Sequence, residues 1–241
     1  MNNSKVARRR LLQFGAFALG SGIVTSATAA YGNTVNSSKT LIALDTLDEN
    51  STPEQVLEEL MAGNQRFVEN KPEARNQDYV RLVEVSQGQK PLVSILGCAD
   101  SRVPIEVIFD RGLGDLFVVR DAGNIATPEE IGSLEYGTYV LGSKVLMVLG
   151  HEQCGAVKAA LEGKPLPGEM GSIVAAINPA IDEANKNDSK EFYDLTIQNN
   201  VKLQVKRLNE SPLLRELVQG DKLKIVGAYY SLATGKVSLL G

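Results

Sequence analysis

The sequence contains few of the residues that bind soft metal ions. Its 241 residues include no tryptophan, a single histidine, His151, and two cysteines, Cys98 and Cys154. A structural zinc site takes four cysteine or histidine ligands, so the sequence excludes a structural zinc site. Two readings remain open, which are a site with three ligands and a disulfide bond between the two cysteines.

The sequence also lacks a long apolar run and an excess of basic residues. The run from Leu11 to Val24 is broken by glycine and serine and is short and weakly apolar for a transmembrane helix. The whole chain has a net charge of −4, and its first thirty residues are basic, so the remainder is more acidic still. An acidic body does not attract nucleic acid or anionic membranes. We therefore expect a globular protein that binds no nucleic acid and is not stably inserted in a membrane.

The N-terminal residues have the composition of an export signal. Residues 1–30 combine a basic start, a modest apolar run and small residues, with Ala27-Thr28-Ala29 as a cleavage site. The stretch "RRRLL" from Arg8 to Leu12 resembles a twin-arginine signal. A general secretory signal and a retained membrane anchor are the alternatives. We expect a signal at 1–30, a linker at 31–50, one domain at 51–241, and a periplasmic or otherwise exported protein.

The pattern of apolar and polar residues in 51–241 predicts an α/β fold. Thr52, Pro53 and Gln55 are typical of a helix start with a capping box, and Val56 and Leu60 begin an apolar stripe. Short apolar runs predict strands at 91–97, 115–120, 144–150 and 222–230. Helical patterns lie at 128–142, 155–162, 172–186 and 190–209. This alternation indicates a mostly parallel central sheet flanked by helices.

Polar, glycine-marked turns follow the first three predicted strands. They read "GCADSR", "DAGN" and "GHEQCG". Sites in open α/β sheets lie at the carboxyl ends of the strands, so Cys98, His151 and Cys154 should meet at one edge. Two thiolates and one imidazole would hold a zinc ion and leave a fourth position for water or substrate, which indicates catalysis.

Asp100 and Arg102 follow Cys98 and should face the same site. The guanidinium of arginine can bind a carboxylate with two hydrogen bonds, which keeps the carboxylate ionised. Asp100 could then accept a hydrogen bond from a hydroxide bound at the metal and orient it. The alternative is an ion pair that only stabilises the turn.

Four motifs resemble those of the β-class carbonic anhydrases, in order and in spacing. They are "CADSRVP", "FVVRDAGN", "LEYG" and "GHEQCGAV", and the resemblance extends from about residue 51 to the end. It implies that Cys98, His151 and Cys154 bind one zinc ion per chain, and that Asp100 and Arg102 form a catalytic dyad. The implied reaction is the reversible hydration of CO2 to bicarbonate and a proton, through attack of zinc-bound hydroxide on CO2.

The resemblance also implies a substrate pocket. Gln89 matches a position that hydrogen-bonds the substrate, and Gly155 matches a glycine beside the metal. Phe117, Ala122 and Tyr136 match positions of the apolar pocket for CO2, with Tyr136 supplied by a neighbouring subunit.

Members of the family form homodimers or higher even oligomers, so we expect an N-terminal helical arm, from Pro53 onward, to pack on a partner subunit. A second, inhibitory bicarbonate site of some bacterial members is built around a tryptophan, which this sequence lacks. Two other functions stay open. One is hydrolysis of CS2 or COS with the same ligands, and the other is a metal-free, disulfide-bonded binding protein of the cell envelope.

Overall fold

The described part of the chain is built around one β-sheet. The computed structural model describes residues 47–48, 50–182 and 189–241, so the predicted export signal lies outside the described residues. The strands of the described part are β1 (Val93–Cys98), β2 (Leu116–Asp121), β3 (Val145–His151), β4 (Lys224–Tyr230) and β5 (Val237–Leu240). They lie in the order β2-β1-β3-β4-β5, and every neighbouring pair is parallel except β4 with β5. The predicted mostly parallel sheet is confirmed.

The four predicted strands are all present, and no end is shifted by more than two residues. β1 and β3 are buried at every position, and a strand covered on both faces has a continuous apolar sequence. β5 was not predicted, because it has four residues, two of them exposed, and gives too short a pattern.

Helices cover both faces of this sheet. Within the described residues they are α1 (Pro53–Val68), α2 (Tyr79–Val85), α3 (Ile105–Ile108), α4 (Pro128–Glu135), α5 (Gly155–Glu162), α6 (Met170–Asp182), α7 (Lys190–Glu210) and α8 (Pro212–Gln219). The helix predicted at 128–142 ends its α-helical part at Glu135 and continues as a π-helical turn, Tyr136–Val140. The short helices α2, α3 and α8 were not predicted. No helix of the described ranges is long and apolar enough to cross a bilayer.

The helix α1 begins at the predicted capping box and packs on its own chain. The Thr52 hydroxyl accepts from the Gln55 N–H, and the Gln55 side chain accepts from the Thr52 N–H at 2.9 Å. Val56 and Leu60 are buried in the core together with Ile95. The sheet of the same chain covers the apolar stripe of α1, and the packing of this arm on a partner subunit stays a prediction. In contrast, α2 has no buried residue.

Alternate residues of the central strands belong to two cores, one on each face of the sheet. Ile95 and Met147 pack with α1 and α3, whereas Leu96 and Val148 pack with the helices of the opposite face. Packing on both faces therefore fixes which residues of β1 and β3 point to which side.

Gly150, near the carboxyl end of β3, allows α7 to approach the sheet closely. A Cβ atom at this position would lie 2.5 Å from Cγ2 of Val201 and 3.4 Å from Cγ2 of Ile197. Because valine is branched at Cβ, its methyl group has little freedom to move away. The glycine therefore lets α7 lie directly against the strand that ends in His151.

Candidate metal centre

The pairing of β1 with β3 brings three ligand atoms together. Gly97 pairs with Leu149 in the parallel register, so both strands end at the same edge of the sheet. Cys154 follows β3 after a short turn and caps α5. One ligand atom each from Cys98, His151 and Cys154 lies within 4.8 Å of the other two. Atoms that share a zinc ion are at most about 4.6 Å apart, given bonds of about 2.0–2.3 Å, so the structure places the predicted set at nearly the required separation.

His151 has one ring nitrogen satisfied and the other without a protein partner. The side chain is fully buried, and Nδ1 lies 2.9 Å from the carbonyl oxygen of Glu152. With the Nδ1–H donating to this carbonyl, Nε2 carries a lone pair, and it has no hydrogen-bond partner among the described residues. A buried, unsatisfied polar atom costs about 1–3 kcal/mol. A bound metal ion would satisfy it, and a carbonyl behind the ring is the usual way to orient a histidine ligand.

The two cysteines are free thiols in an apolar environment. Both are buried, and their surroundings include Val157, Ile177 and Ile197. A hydrogen bond from the Cys154 thiol, followed by the one from the Gly123 N–H, lowers the pKa of Cys98. The same pairing, together with burial, raises the pKa of Cys154. Zinc binds thiolates, so binding of the ion would release any proton that the two thiols hold.

Asp100 and Arg102 form a bidentate ion pair beside these ligands. Nε of Arg102 donates to Oδ1 of Asp100 at 3.0 Å and Nη2 donates to Oδ2 at 2.8 Å. These bonds, mainly, hold the pKa of Asp100 well below its usual range, so the carboxylate stays ionised. Its Oδ2 lies 4.0 Å from Nε2 of His151. The carboxylate thus lies beside the ring nitrogen that would bind the metal.

Two further side chains hold the ligand turns and were given no role from the sequence. Arg120 donates through Nε to the Cys98 carbonyl at 3.0 Å and through Nη2 to the Asp100 carbonyl at 2.9 Å. The Tyr193 hydroxyl donates to the Cys154 carbonyl at 2.7 Å. Arg120 lies within the "FVVRDAGN" motif, which could have drawn attention to it, whereas nothing in the sequence singles out Tyr193.

Asp121 is another titratable group at this edge. Its Oδ1 accepts from the Ile125 N–H at 2.9 Å, whereas Oδ2 is buried without a hydrogen-bond partner in the described structure. Burial, above all, raises the pKa of this carboxyl group to about 7. The side chain therefore differs from Asp100, which its arginine keeps ionised.

Two of the predicted substrate residues lie next to the ligands. Ala122 is exposed and directly precedes Gly123, whose N–H contacts the Cys98 sulfur. Gly155 follows Cys154, and a Cβ atom placed there would meet no other atom within 4 Å. These small residues leave open space beside the thiols.

The structure does not bring the other three predicted substrate residues to the metal centre of their own chain. Phe117 pairs with Ser94 near the amino ends of the strands, and its ring centroid is 6.2 Å from that of Tyr136. Gln89 is exposed and precedes β1. Cys98 lies on the order of 13 Å further along the strand than Ser94. Gln89, Phe117 and Tyr136 thus lie toward the opposite edge of the sheet.

Comparison with known proteins agrees with this site. The family model described as carbonic anhydrase matches residues 93–237. Carbonic anhydrase 2 of Mycobacterium tuberculosis is 37% identical over 199 residues, which cover 79% of this chain and 94% of that protein. These matches include all three candidate ligands.

Solved structures agree as well. A Coccomyxa β-carbonic anhydrase in complex with acetazolamide has a TM-score of 0.63 at 27% identity, over 76% of this chain and 86% of that one. A β-carbonic anhydrase of Sordaria macrospora, described as tetrameric, has a TM-score of 0.62 at 25% identity, over 77% and 96%. On sequence and fold alike, the chain belongs to the β-class carbonic anhydrase family.

Proposed function

We propose that the chain catalyses the reversible hydration of CO2 to bicarbonate and a proton, with one zinc ion held by Cys98, His151 and Cys154. The observation that carries this function is the buried Nε2 of His151, which has no hydrogen-bond partner in the described part of the chain. One ligand atom each from His151 and the two cysteines lies within 4.8 Å of the other two. Zinc with three protein ligands keeps a fourth position and lowers the pKa of a water bound there to near neutrality.

Asp100 orients the attacking water. An ionised carboxylate only accepts hydrogen bonds, so Asp100 fixes the direction of the water O–H and leaves an oxygen lone pair free for CO2. Arg102 keeps Asp100 in place through its backbone N–H, at 2.9 Å from Oδ1, as well as through its side chain. Its Nη2 also donates to the Gln153 carbonyl at 3.2 Å. The dyad is thereby tied to the turn that carries Cys154.

The open space beside Ala122 and Gly155 would receive CO2. The two cysteines are part of an apolar cluster that includes Ile125 and Val157. An apolar wall suits a molecule without charge or a strong dipole, and it limits the access of bulk water.

Loss of either thiolate should abolish zinc binding and activity. We expect about one zinc per chain in the purified protein, and little zinc or CO2 hydration in Cys98→Ser and Cys154→Ser, because two remaining ligands hold the metal weakly. Metal analysis and stopped-flow CO2 hydration would measure both. Ser94→Ala, a buried change on the same strand, should retain both. A fully active, metal-free protein with a Cys98–Cys154 disulfide would contradict the proposal.

Neutralising Asp100 should separate catalysis from metal binding. Asp100→Asn should keep its zinc but lower kcat for CO2 hydration by at least about 100-fold, because an amide can present a donor to the water. Arg102→Ala should act in the same direction by releasing Asp100. Glu69→Gln, at an exposed ion pair with the same spacing, is the matched control. Near-normal turnover in both dyad variants would show that the ion pair only stabilises the turn.

We further propose that a second copy of the chain completes the site, in a homodimer or a higher even oligomer. Gln89, Phe117 and Tyr136 lie too far from the metal centre of their own chain to contact substrate there. The side chains of Tyr79 and Val80 on α2 are 76% and 65% exposed. Apolar groups this exposed favour an interface, and the Sordaria relative is described as tetrameric.

Charges placed on α2 should therefore dissociate the oligomer and reduce activity together. Val80→Glu combined with Val83→Glu should give a smaller particle in light scattering and a much lower CO2 hydration rate, with zinc content unchanged. Leu195→Glu, an exposed apolar position on α7, should leave all three measurements unchanged. A wild-type monomer with full activity would contradict the proposal.

For residues 1–30 we propose an export signal and a periplasmic or otherwise exported mature protein. The support is the sequence pattern alone, with its arginine pair and its A-x-A-type end. Mass spectrometry of the mature protein should find these residues removed, and replacing Arg8 and Arg9 by Lys should retain the precursor inside the cell. Unchanged export would exclude the twin-arginine route, and an intact N-terminus on membranes would exclude cleavage.

A further inference from the structure

The loop at residues 122–127 depends on contacts outside itself. The loop begins where β2 ends, at the edge of the sheet that carries the metal centre. It contains Gly123 and Asn124, whose φ angles are 96° and 45°. The left-handed region is unfavourable for a residue with a side chain, and it persists where the surroundings hold it. Residues of α7 supply those surroundings.

Gly123 links a metal ligand to α7. Its N–H donates to Sγ of Cys98 at 3.4 Å, and its carbonyl accepts from Nδ2 of Asn200 at 2.9 Å. Asn200 is buried, with 1% of its surface exposed. The position of the N–H that reaches the sulfur is thus tied to a side chain of α7.

Gln204, one turn further along α7, holds the other end of the loop. Its Oε1 accepts from the Ala126 N–H at 3.0 Å, and its Nε2 donates to Oδ1 of Asn200 at 2.8 Å. Gln204 is fully buried. Residues four apart on a helix are neighbours on its surface, so the two amides form one continuous chain of hydrogen bonds along the loop.

We propose that Asn200 and Gln204 are positioning residues of the metal centre, which fix Gly123 so that its N–H hydrogen-bonds the Cys98 sulfur. The inference rests on the zinc site proposed above. A hydrogen bond to a ligand sulfur withdraws negative charge from it and fixes its direction. Groups that support metal ligands in this way commonly change metal affinity by about 10- to 100-fold when they are replaced.

Four variants separate this role from general stability. Asn200→Asp removes the donor to the Gly123 carbonyl, and Gln204→Leu removes the acceptor for the Ala126 N–H. Asn209→Asp adds the same charge as Asn200→Asp and removes an amide donor to the Val205 carbonyl, at 2.8 Å on the same helix but away from the loop. Thr196→Val removes a buried hydroxyl of the same helix that donates to the Phe192 carbonyl at 2.8 Å, away from the loop.

The readouts are the thiolate-to-cobalt charge-transfer band of the Co(II)-substituted protein and the rate at which a chelator removes zinc. We expect Asn200→Asp and Gln204→Leu to shift the band and to release zinc about ten times faster than wild type. Asn209→Asp and Thr196→Val should stay close to wild type in both, even where the thermal midpoint falls.

Variants Asn200→Asp and Gln204→Leu that lose thermal stability but keep the wild-type band and release rate would overturn the inference. If Gln204→Leu does not fold, Asn200→Asp decides, with Asn209→Asp as its control for added charge. A wild-type protein that shows no thiolate-to-cobalt band would instead overturn the zinc site itself, and the inference with it.

Discussion

The parallel pairing of β1 with β3 is the constraint on which the site depends. Cys98 ends one strand and His151 ends its neighbour, so their separation follows from the register. A shift by one residue would turn the side chains of a strand to the opposite face. Burial of both strands on both faces excludes such a shift. Hydrophobic packing in the middle of the sheet therefore determines the ligand distances at its edge.

The ligands are buried, whereas the dyad lies at the boundary with solvent. The side chain of Asp100 is 17% exposed and that of Arg102 is 49% exposed, but His151 is fully buried. Burial strengthens the electrostatic interactions around the ligands. Partial exposure of the dyad leaves a path for a small substrate and for the proton. The edge of the sheet thus combines a protected metal position with an accessible acceptor.

Sequence patterns predicted the features that depend on residues close together in the sequence. Short apolar runs predicted the four parallel strands, and the spacing of Asp100 and Arg102 fitted their ion pair. The pattern could not show that α2 leaves its apolar residues exposed, because burial depends on what packs against a helix. It also could not show that Gln89 lies at the opposite edge from Cys98, since a motif match fixes the position of a residue in the sequence and not its place in the fold.

The polar face of α7 is the least predictable part of the site, and its packing gives the reason. Asn200 and Gln204 would normally mark a solvent-exposed face, but here they are buried against a loop. Val201, between them, packs at Gly150, next to His151. The helix α7 therefore contacts the strand that carries His151 through apolar groups. It contacts the loop beside Cys98 through amides. Any movement of α7 would change both ligand environments at once, so the geometry of the centre is tied to the position of this helix.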